Sequence, residues 1–535
     1  MPAGYLALVL HTHLPFVKHP EHARPLEERW LHEALIECYL PLLDAFERLE
    51  REGIPFALTM SLTPPLASML RDDLLRQRFD DHLERLIALA GHEVRRTADD
   101  GLFGPVARFY EHRLQRMREV WQGCDGQVVS ALASYVDRGR LDLITCSATH
   151  AYLPGLVSCP SALRAQLRLG AAAFQHLVGR PAGGMWLPEC AYEPIFDREI
   201  ANAGLRYTLL DAHGVRHARP RPPFGIHHPI VSPSGVAFFA RDQQSSEQVW
   251  SREGGYPGNP YYRDFYRDIG YDLPEEQLHG EVGPFGTRVM TGLKYHRITG
   301  KTDQKQPYMP GVAAEAAHRD ALDFLQKRAG HIGHLASTMP VPPLVVAPYD
   351  AELFGHWWFE GPLFLESIFR HAHERGGGFI ELTTLRHYLE EHPTAMQATP
   401  AASSWGAGGY GEVWVGPAAA PYWRHVHHGS RRVEHLVPRH LDAAGPRGDA
   451  LDLAIREMLL LQTSDWPFIL STATTVEYAE ARLRAHAARL HRLCGLVEAD
   501  EISGDDIAWM HDLDQRDSYL ATLPSAILRS AFLDR

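Results

Sequence analysis

The chain has 535 residues, enough for one large barrel with additions or for about three to four smaller structural units. Hydrophobic residues make up 45% and charged residues 22% of it, a composition typical of globular proteins that excludes a disordered or fibrous chain. The formal net charge is −13, and an acidic surface repels phosphate backbones and anionic lipid headgroups. We therefore expect neither nucleic acid nor a membrane as a partner.

The cysteines and the apolar runs indicate a cytoplasmic protein. The six cysteines lie far apart without a CxxC pair, and a chain of this size needs no disulfides. The apolar run at 5–10 is too short for the hydrophobic region of a signal peptide or for a membrane span. We expect it to form a first buried strand.

Short apolar runs alternate with helical patterns along the first 400 residues. The predicted strands, in chain order, are 5–10, 56–61, 141–146, 184–187, 207–210, 236–239, 289–293 and 344–347, and the predicted helices include 31–49, 161–178 and 313–329. This alternation predicts an α/β fold with a parallel sheet, closed into a barrel, over residues 1–400. The charged helical stretch 70–138 is interpreted as an insertion into that barrel.

A second unit is predicted after the barrel. The pattern changes after Arg386 through a segment rich in Pro, Ala, Ser and Gly, and helical periodicity then runs from Arg432 to Leu533. Residues 401–535 are therefore predicted to form an all-helical C-terminal domain.

Polar and ionisable residues directly follow the predicted strands. They are His11 and His13, Thr149 and His150, Glu189, Asp211, Asp242, Lys294 and His296, and Asp350. In a barrel of parallel strands these positions converge on the active-site face. The alternative for any single position is that a strand simply ends where polar residues begin.

The histidines leave two interpretations open. His11 and His13 are two residues apart, so their side chains point the same way on a strand. With His150 and a carboxylate they could bind zinc, although no fixed ligand spacing such as HExxH is present. Otherwise they bind sugar hydroxyls or make structural hydrogen bonds.

Two carboxylates stand out at predicted strand ends among aromatic residues. Glu189 lies in GGMWLPECAY, and Asp350 lies in APYDAELFGHWWFEGP. Such a pair suits glycosidic bond chemistry, in which one carboxylate attacks the anomeric carbon and the other, with a raised pKa, protonates the leaving oxygen. Glu352 and Glu360 are interpreted as surface charges.

Five strings in order resemble the motifs of glycoside hydrolase family 57, and their flanks resemble its branching-enzyme subgroup. The strings are HTHLPF (11–16), CSATHAYLP (146–154), WLPECAY (186–192), PYDAELFGHWWFEGP (348–362) and TSDWPF (463–468), with SEQVWSREGGYPGNPYYRDFYRDIGYD (246–272) typical of the subgroup. The resemblance covers essentially the whole chain. It implies a distorted (β/α)7 barrel with a helical insertion and a C-terminal helical domain.

The resemblance also implies a retaining mechanism without a metal or other cofactor. Glu189 would be the nucleophile and Asp350 the general acid/base. The residues expected to bind substrate are His11, His13, Trp30, His150, His227, Arg241, Asp242, Trp250, Lys294, Trp357, Trp405, Trp414, Asp465 and Trp466. For the tryptophans, a place in the core or between domains is the alternative.

The implied function is a 1,4-α-glucan branching enzyme in glycogen or storage-glucan synthesis, acting on amylose, amylopectin or glycogen as a monomer or homodimer. The alternatives are an α-amylase or 4-α-glucanotransferase of the same family, and a non-catalytic glucan-binding protein. The subgroup tends to carry a tyrosine, in a pattern resembling GVYAP, at the tip of a loop over the cleft. Here GIHHP (225–229) puts His227 there, which predicts poorer cover and more hydrolysis.

Overall fold

The computed structural model describes residues 2–251, 253–375 and 379–534. Arg252 of the string 246–272 and the terminal residues of both predicted domains, Met1 and Arg535, lie outside these ranges. The strands are β1 (Gly4–Thr12), β2 (Leu58–Leu62), β3 (Leu141–Ile144), β4 (Gly184–Trp186), β5 (Tyr207–Leu210), β6 (Ile230–Val231), β7 (Ala237–Ala240), β8 (Leu344–Asp350), β9 (Ile380–Leu382) and β10 (Met396–Gln397).

The α-helices flank the strands and make up the C-terminal part of the chain. They are α1 (Arg29–Ala34), α2 (Leu40–Arg51), α3 (Pro64–Arg71), α4 (Asp73–Arg96), α5 (Phe103–Gly123), α6 (Val128–Asp137), α7 (Pro160–Val178), α8 (Asp197–Asn202), α9 (Ala212–Arg216), α10 (Gln243–Trp250), α11 (Ile269–Asp272), α12 (Pro310–Ala336), α13 (Gly361–Glu374), α14 (Leu385–Glu391), α15 (Glu412–Val415), α16 (Ala420–Leu436), α17 (Gly445–Leu461), α18 (Asp465–Thr472), α19 (Val476–Glu498), α20 (Gly504–Arg516) and α21 (Ser525–Ser530). None of the helices in the described ranges is long and apolar enough to cross a membrane.

Seven parallel strands follow one another around the barrel. Strands β3, β2, β1 and β8 pair in that order, and β4, β5 and β7 pair in a second sheet with β6 and β10 at its edge. A bridge between Thr145 and Met185 joins β3 to β4. On the other side, the Asp242 N–H donates to the Val346 carbonyl at 2.8 Å, which links the end of β7 to β8. The barrel is therefore distorted, because β7 and β8 form no regular set of strand hydrogen bonds among the described residues.

The first strand shows how the sequence forms two cores. All nine residues of β1 are buried. Tyr5, Ala7 and Val9 belong to the cluster that fills the barrel, whereas the alternating leucines of β1 pack in the larger cluster shared with the helices. His11 continues the inward series, so it lies at the carboxyl end of the barrel interior.

Most of the predicted elements are confirmed, and one strand prediction is wrong. Helices α3 to α6 lie between β2 and β3, as expected for the stretch 70–138. The predicted strand 289–293 is an irregular segment, because the Asp268 carboxylate accepts the N–H groups of Thr291 and Gly292 (both 2.9 Å) that a neighbouring strand would bind. Strand β9, which pairs with β1, was not predicted.

The C-terminal helices dock on the carboxyl end of β3. The Ser464 N–H donates to the His150 carbonyl at 2.9 Å, and the Thr149 hydroxyl donates to the Leu459 carbonyl at 2.5 Å. The Gln166 amide donates to the Gln462 side chain at 2.8 Å. These buried hydrogen bonds fix the start of α18 next to the barrel mouth.

Candidate active site

The carboxyl ends of the barrel strands surround one cavity of about 420 Å³. Glu189 follows β4, and Asp350 is the last residue of β8. The lining comprises His11, His13, His150, Glu189, Arg241, Trp250, Asp350, Glu352, Trp405, Gly406, Val413, Trp414, Asp465 and Phe468. Both predicted catalytic carboxyl groups and eight of the predicted binding residues thus meet in one place.

Glu189 is held by two hydrogen bonds from outside the strands. The Trp405 indole donates to Oε2 at 2.7 Å, and the Ser464 hydroxyl donates to Oε1 at 2.8 Å. Burial raises the pKa of Glu189 to about 7, although both hydrogen bonds favour the charged form and act in the opposite direction. The backbone of Glu189 is left-handed, with φ of 60°, a strained conformation for a non-glycine residue that is typical of functional sites.

Asp350 has a different environment. Burial raises the pKa of its carboxyl group well above the usual value, and the neighbouring charges of Glu352 and Glu189 raise it further. No hydrogen bond to this carboxyl group is found within the described ranges. The pKa of both carboxyl groups is raised by burial, but the hydrogen bonds that favour a charged form are on Glu189, which suits Glu189 to the nucleophile role and Asp350 to the acid role.

Three histidines form a stacked, hydrogen-bonded floor. His11 Nε2 lies 2.9 Å from His150 Nε2, and His13 Nε2 lies 3.1 Å from Asp465 Oδ2. The indole of Trp186 stacks on His11 at 4.4 Å between ring centroids. Burial lowers the pKa of His11 and of His150 well below the usual value, so both are neutral near pH 7.

Zinc binding by these histidines would require ring nitrogens that are free of protein hydrogen bonds. His13, His150 and Asp465 do place ligand atoms within 4.8 Å of one another. However, His13 Nδ1 lies 3.1 Å from the Thr63 hydroxyl, and His150 Nδ1 lies 2.8 Å from that of Ser464. With His11 Nδ1 at 2.6 Å from the Ser61 hydroxyl, all ring nitrogens of the three histidines have protein partners. Hydrogen bonds to the protein thus account for the cluster.

Aromatic side chains form the walls of the cavity. Trp250 is 38% exposed and lies edge-on to Trp405 at 6.1 Å. Trp414 is buried and stacks on Tyr152 at 5.5 Å. Phe468 is 43% exposed. Exposed aromatic surfaces beside polar groups suit sugar rings, which have apolar faces and hydroxyl edges.

Two predicted binding residues, His227 and Asp242, lie away from the cavity. The His227 carbonyl accepts from the N–H of Leu344, the first residue of β8, whereas Asp350 is the last. Asp242 caps α10 and pairs with Arg328 at 3.0 Å. The predictions for both are corrected: the hydrogen bond to Leu344 holds the GIHHP segment at the amino end of β8, so His227 does not cover the cleft.

Four more predicted binding residues are outside the lining. Trp30 packs edge-on against Tyr478, and buried Trp466 donates to the Leu460 carbonyl at 3.1 Å. Lys294 is buried, and its ammonium group donates to the Phe265 carbonyl at 2.6 Å. Trp357 is 58% exposed and stacks on the Phe265 ring. A substrate-binding role for these four therefore stays a prediction that the cavity lining does not support.

Sequence reasoning missed several residues of the site. Glu352 lines the cavity and accepts hydrogen bonds from the Tyr39 hydroxyl and the His13 N–H, so its interpretation as a surface charge is wrong. Glu360 is also buried and accepts from the Tyr308 hydroxyl at 2.7 Å. Ser464 lies inside the string TSDWPF, and that position could have identified it.

A barrel that presents two buried carboxyl groups in one aromatic-walled cavity has the site of a glycoside-processing enzyme. Comparison with known proteins gives the family. The model described as glycosyl hydrolase family 57 matches residues 7–400, so the chain belongs to that family. A second model, 1,4-alpha-glucan branching enzyme, C-terminal, matches residues 425–526.

The similarity to individual known proteins extends over nearly the full length of this chain. The chain is 30% identical to a 1,4-alpha-glucan branching enzyme of Thermococcus kodakarensis over 96% of this chain and 77% of that protein. Among solved structures, the alpha-amylase AmyC of Thermotoga maritima is 38% identical with a TM-score of 0.91, covering 98% of this chain and 99% of AmyC. A family 57 branching enzyme of Pyrococcus horikoshii is 29% identical with a TM-score of 0.87, covering 100% and 97%.

Proposed function

We propose that this chain is a retaining 1,4-α-glucan branching enzyme. Glu189 attacks the anomeric carbon of an α-1,4-linked glucan and forms a covalent glucosyl ester, while Asp350 protonates the departing oxygen. Asp350 then removes the proton from a 6-hydroxyl of an acceptor glucan, which attacks the ester and creates an α-1,6 branch. Two inversions at one carbon retain the α configuration.

The match of residues 425–526 to a branching-enzyme C-terminal model carries this proposal. That segment supplies Asp465 to the cavity and Ser464 to the nucleophile. We assign glucan binding to His11, His13 and His150, with Trp250, Trp405 and Trp414 as stacking surfaces. Residues 1–400 would act as the catalytic unit and residues 401–535 as the helical unit that completes the cleft.

The proposed setting is glycogen or storage-glucan synthesis in the cytoplasm. The six cysteines are unpaired in the structure, which supports a reducing compartment. Amylose, amylopectin and glycogen are the proposed substrates.

Hydrolysis is the second candidate, favoured by two observations. AmyC, named an alpha-amylase, is similar over almost the whole chain. The His227 segment is hydrogen-bonded to the amino end of β8, so it is not the cover that the branching subgroup would carry over the cleft. In that case water instead of a 6-hydroxyl resolves the ester on Glu189.

One experiment separates the two candidates. The purified protein is incubated with amylose, and α-1,6 linkages are followed by proton NMR while reducing ends are counted in the same samples. New α-1,6 signals with few new reducing ends are expected. Rising reducing ends without branches would assign hydrolysis instead, and Glu189→Gln, which removes the nucleophile, serves as the inactive control for both readouts.

A further inference from the structure

A second cluster of ligand-type side chains lies outside the lining of the catalytic cavity. His227, Asp242 and His331 come from three separate elements: the segment before β6, the junction of β7 with α10, and helix α12. One ligand atom from each lies within 4.8 Å of the other two. The two imidazole rings are perpendicular, with centroids 5.0 Å apart.

Both imidazoles in this cluster have an unused nitrogen. His227 Nδ1 and His331 Nδ1 are each buried and have no hydrogen-bond partner among the described residues. A buried polar atom without a partner is costly, and two of them beside one carboxylate are available to bind a ligand. Burial lowers the pKa of His227 to about 4 and also lowers that of His331, so both rings are neutral near pH 7 and have a free lone pair.

Two hydrogen bonds to one oxygen orient the Asp242 carboxylate. Its Oδ1 accepts from the Ser245 N–H at 2.8 Å and from the Arg328 guanidinium at 3.0 Å. Within the described ranges Oδ2 accepts no hydrogen bond and is available as a ligand. Carboxylates that bind metals are themselves usually hydrogen-bonded in this way, which fixes their orientation.

A comparable buried cluster, Glu457 with His486 and Asp517, already has cationic partners. Arg482 lies 3.5 Å from Asp517, and Arg489 also pairs with that carboxylate. Cationic side chains thus already neutralise the Glu457 cluster, whereas Arg328 binds only one oxygen of Asp242.

We propose that His227, Asp242 and His331 bind a single divalent transition-metal ion of the zinc class. Two imidazoles and a carboxylate are a common zinc ligand set, with an open position left for water. Ligand atoms around a tetrahedral zinc ion are about 3.4 Å apart, so modest side-chain rotation closes the site. Other metals that favour imidazole, such as nickel and cobalt, fit the same donors.

The ion would stabilise the fold by linking separate parts of the chain. It joins the segment 217–229 to α12 and to the end of β7. The Asp242 N–H is bonded to Val346, four residues or about 13 Å along β8 from Asp350, so the ion would lie out of reach of the reacting groups. Ligand binding to the native state alone raises the midpoint of thermal unfolding.

The test begins with protein dialysed against a chelator and then titrated with zinc chloride by calorimetry. One high-affinity zinc site is expected in the wild type. His227→Ala and His331→Ala should each weaken binding by about tenfold or more, with loss of the zinc-dependent rise in unfolding temperature. His334→Ala alters an exposed histidine one turn further along α12 and should bind zinc as the wild type does.

Two further measurements check where zinc binds and whether the variants fold. Adding maltoheptaose should leave zinc binding unchanged, because displacement by glucan would place the ion on His13, His150 and Asp465 instead. If an alanine variant fails to fold, as judged by circular dichroism, His331→Gln replaces it. Unaltered zinc affinity in folded variants of both histidines, or no high-affinity site in the wild type, would overturn the proposal.

Discussion

Replacing Trp405 by Phe tests whether the hydrogen bonds on Glu189 set the pH range of the enzyme. The substitution keeps a ring against Trp250 but removes the N–H that donates to the carboxylate at 2.7 Å. A hydrogen bond to a charged group contributes about 1.5–3 kcal/mol, and one pKa unit equals about 1.4 kcal/mol. Since this bond favours the charged form, its loss should raise the pKa of Glu189 from about 7 by about one to two units.

The consequence is a shifted rate profile. Only the ionised carboxylate attacks, so the acidic limb of kcat/KM against pH should move upward by the same one to two units. At pH 7 the ionised fraction would fall by about 5- to 50-fold, with partial recovery at higher pH. Ser464→Ala removes the other donor and should act in the same direction, whereas Trp250→Phe changes the cavity wall without touching Glu189 and should leave the limb in place. An unmoved acidic limb in both donor variants would refute the reasoning.

Three further outcomes are expected. Asp350→Asn should lower glucan turnover by about 10²–10⁴-fold while release of fluoride from α-maltosyl fluoride persists, because that leaving group needs no proton; equal loss on both substrates would contradict the acid role. Gly355→Ala should lower the thermal midpoint through a cost of about 2–4 kcal/mol, since φ is +124° and the new Cβ would lie 1.8 Å from the Glu37 carbonyl; Gly311→Ala, with open space around it, is the matched control. Burial alone would raise the pKa of Asp465, but its histidine partner brings it to about 2, below the usual 3.8. This carboxylate therefore adds about 2 kcal/mol of stability at neutral pH that is lost as pH falls from about 4 to 2, and Asp465→Asn should flatten that part of the curve of unfolding free energy against pH.

The barrel was predictable from the sequence because its strands are buried on both sides. Continuous apolar runs such as 5–10 and 344–347 are typical of such strands. The stretch 289–293 has the same local pattern, and only the distant carboxylate of Asp268 decides that it pairs with side-chain oxygens instead of a strand. Strand β9 is too short for periodicity to reveal.

Residues that follow strands could be predicted as site candidates from the sequence. Which of their side chains point into the cavity could not be predicted. Asp242 and Asp350 both come at the ends of predicted strands, yet Asp242 faces Arg328 of α12 and Asp350 faces the cavity. Glu352, two residues beyond Asp350, enters the site because the Tyr39 hydroxyl holds it there. Contacts of this kind join residues hundreds of positions apart, and no local pattern encodes them.

The hydrogen bonds to the carboxylate of Glu189, the proposed nucleophile, come from parts of the chain that follow the barrel. Trp405 binds Glu189 twice, through its backbone N–H to the Glu189 carbonyl at 2.9 Å and through its indole to the carboxylate. Ser464 supplies the other hydrogen bond to that carboxylate found within the described ranges. The family 57 match over 7–400 thus contains both proposed catalytic carboxyl groups but neither donor, and Ser464 falls in the separate match over 425–526. Because the left-handed backbone of Glu189 is strained, these outside contacts also keep it in place, so the charge and the position of the nucleophile depend on how the C-terminal helices dock.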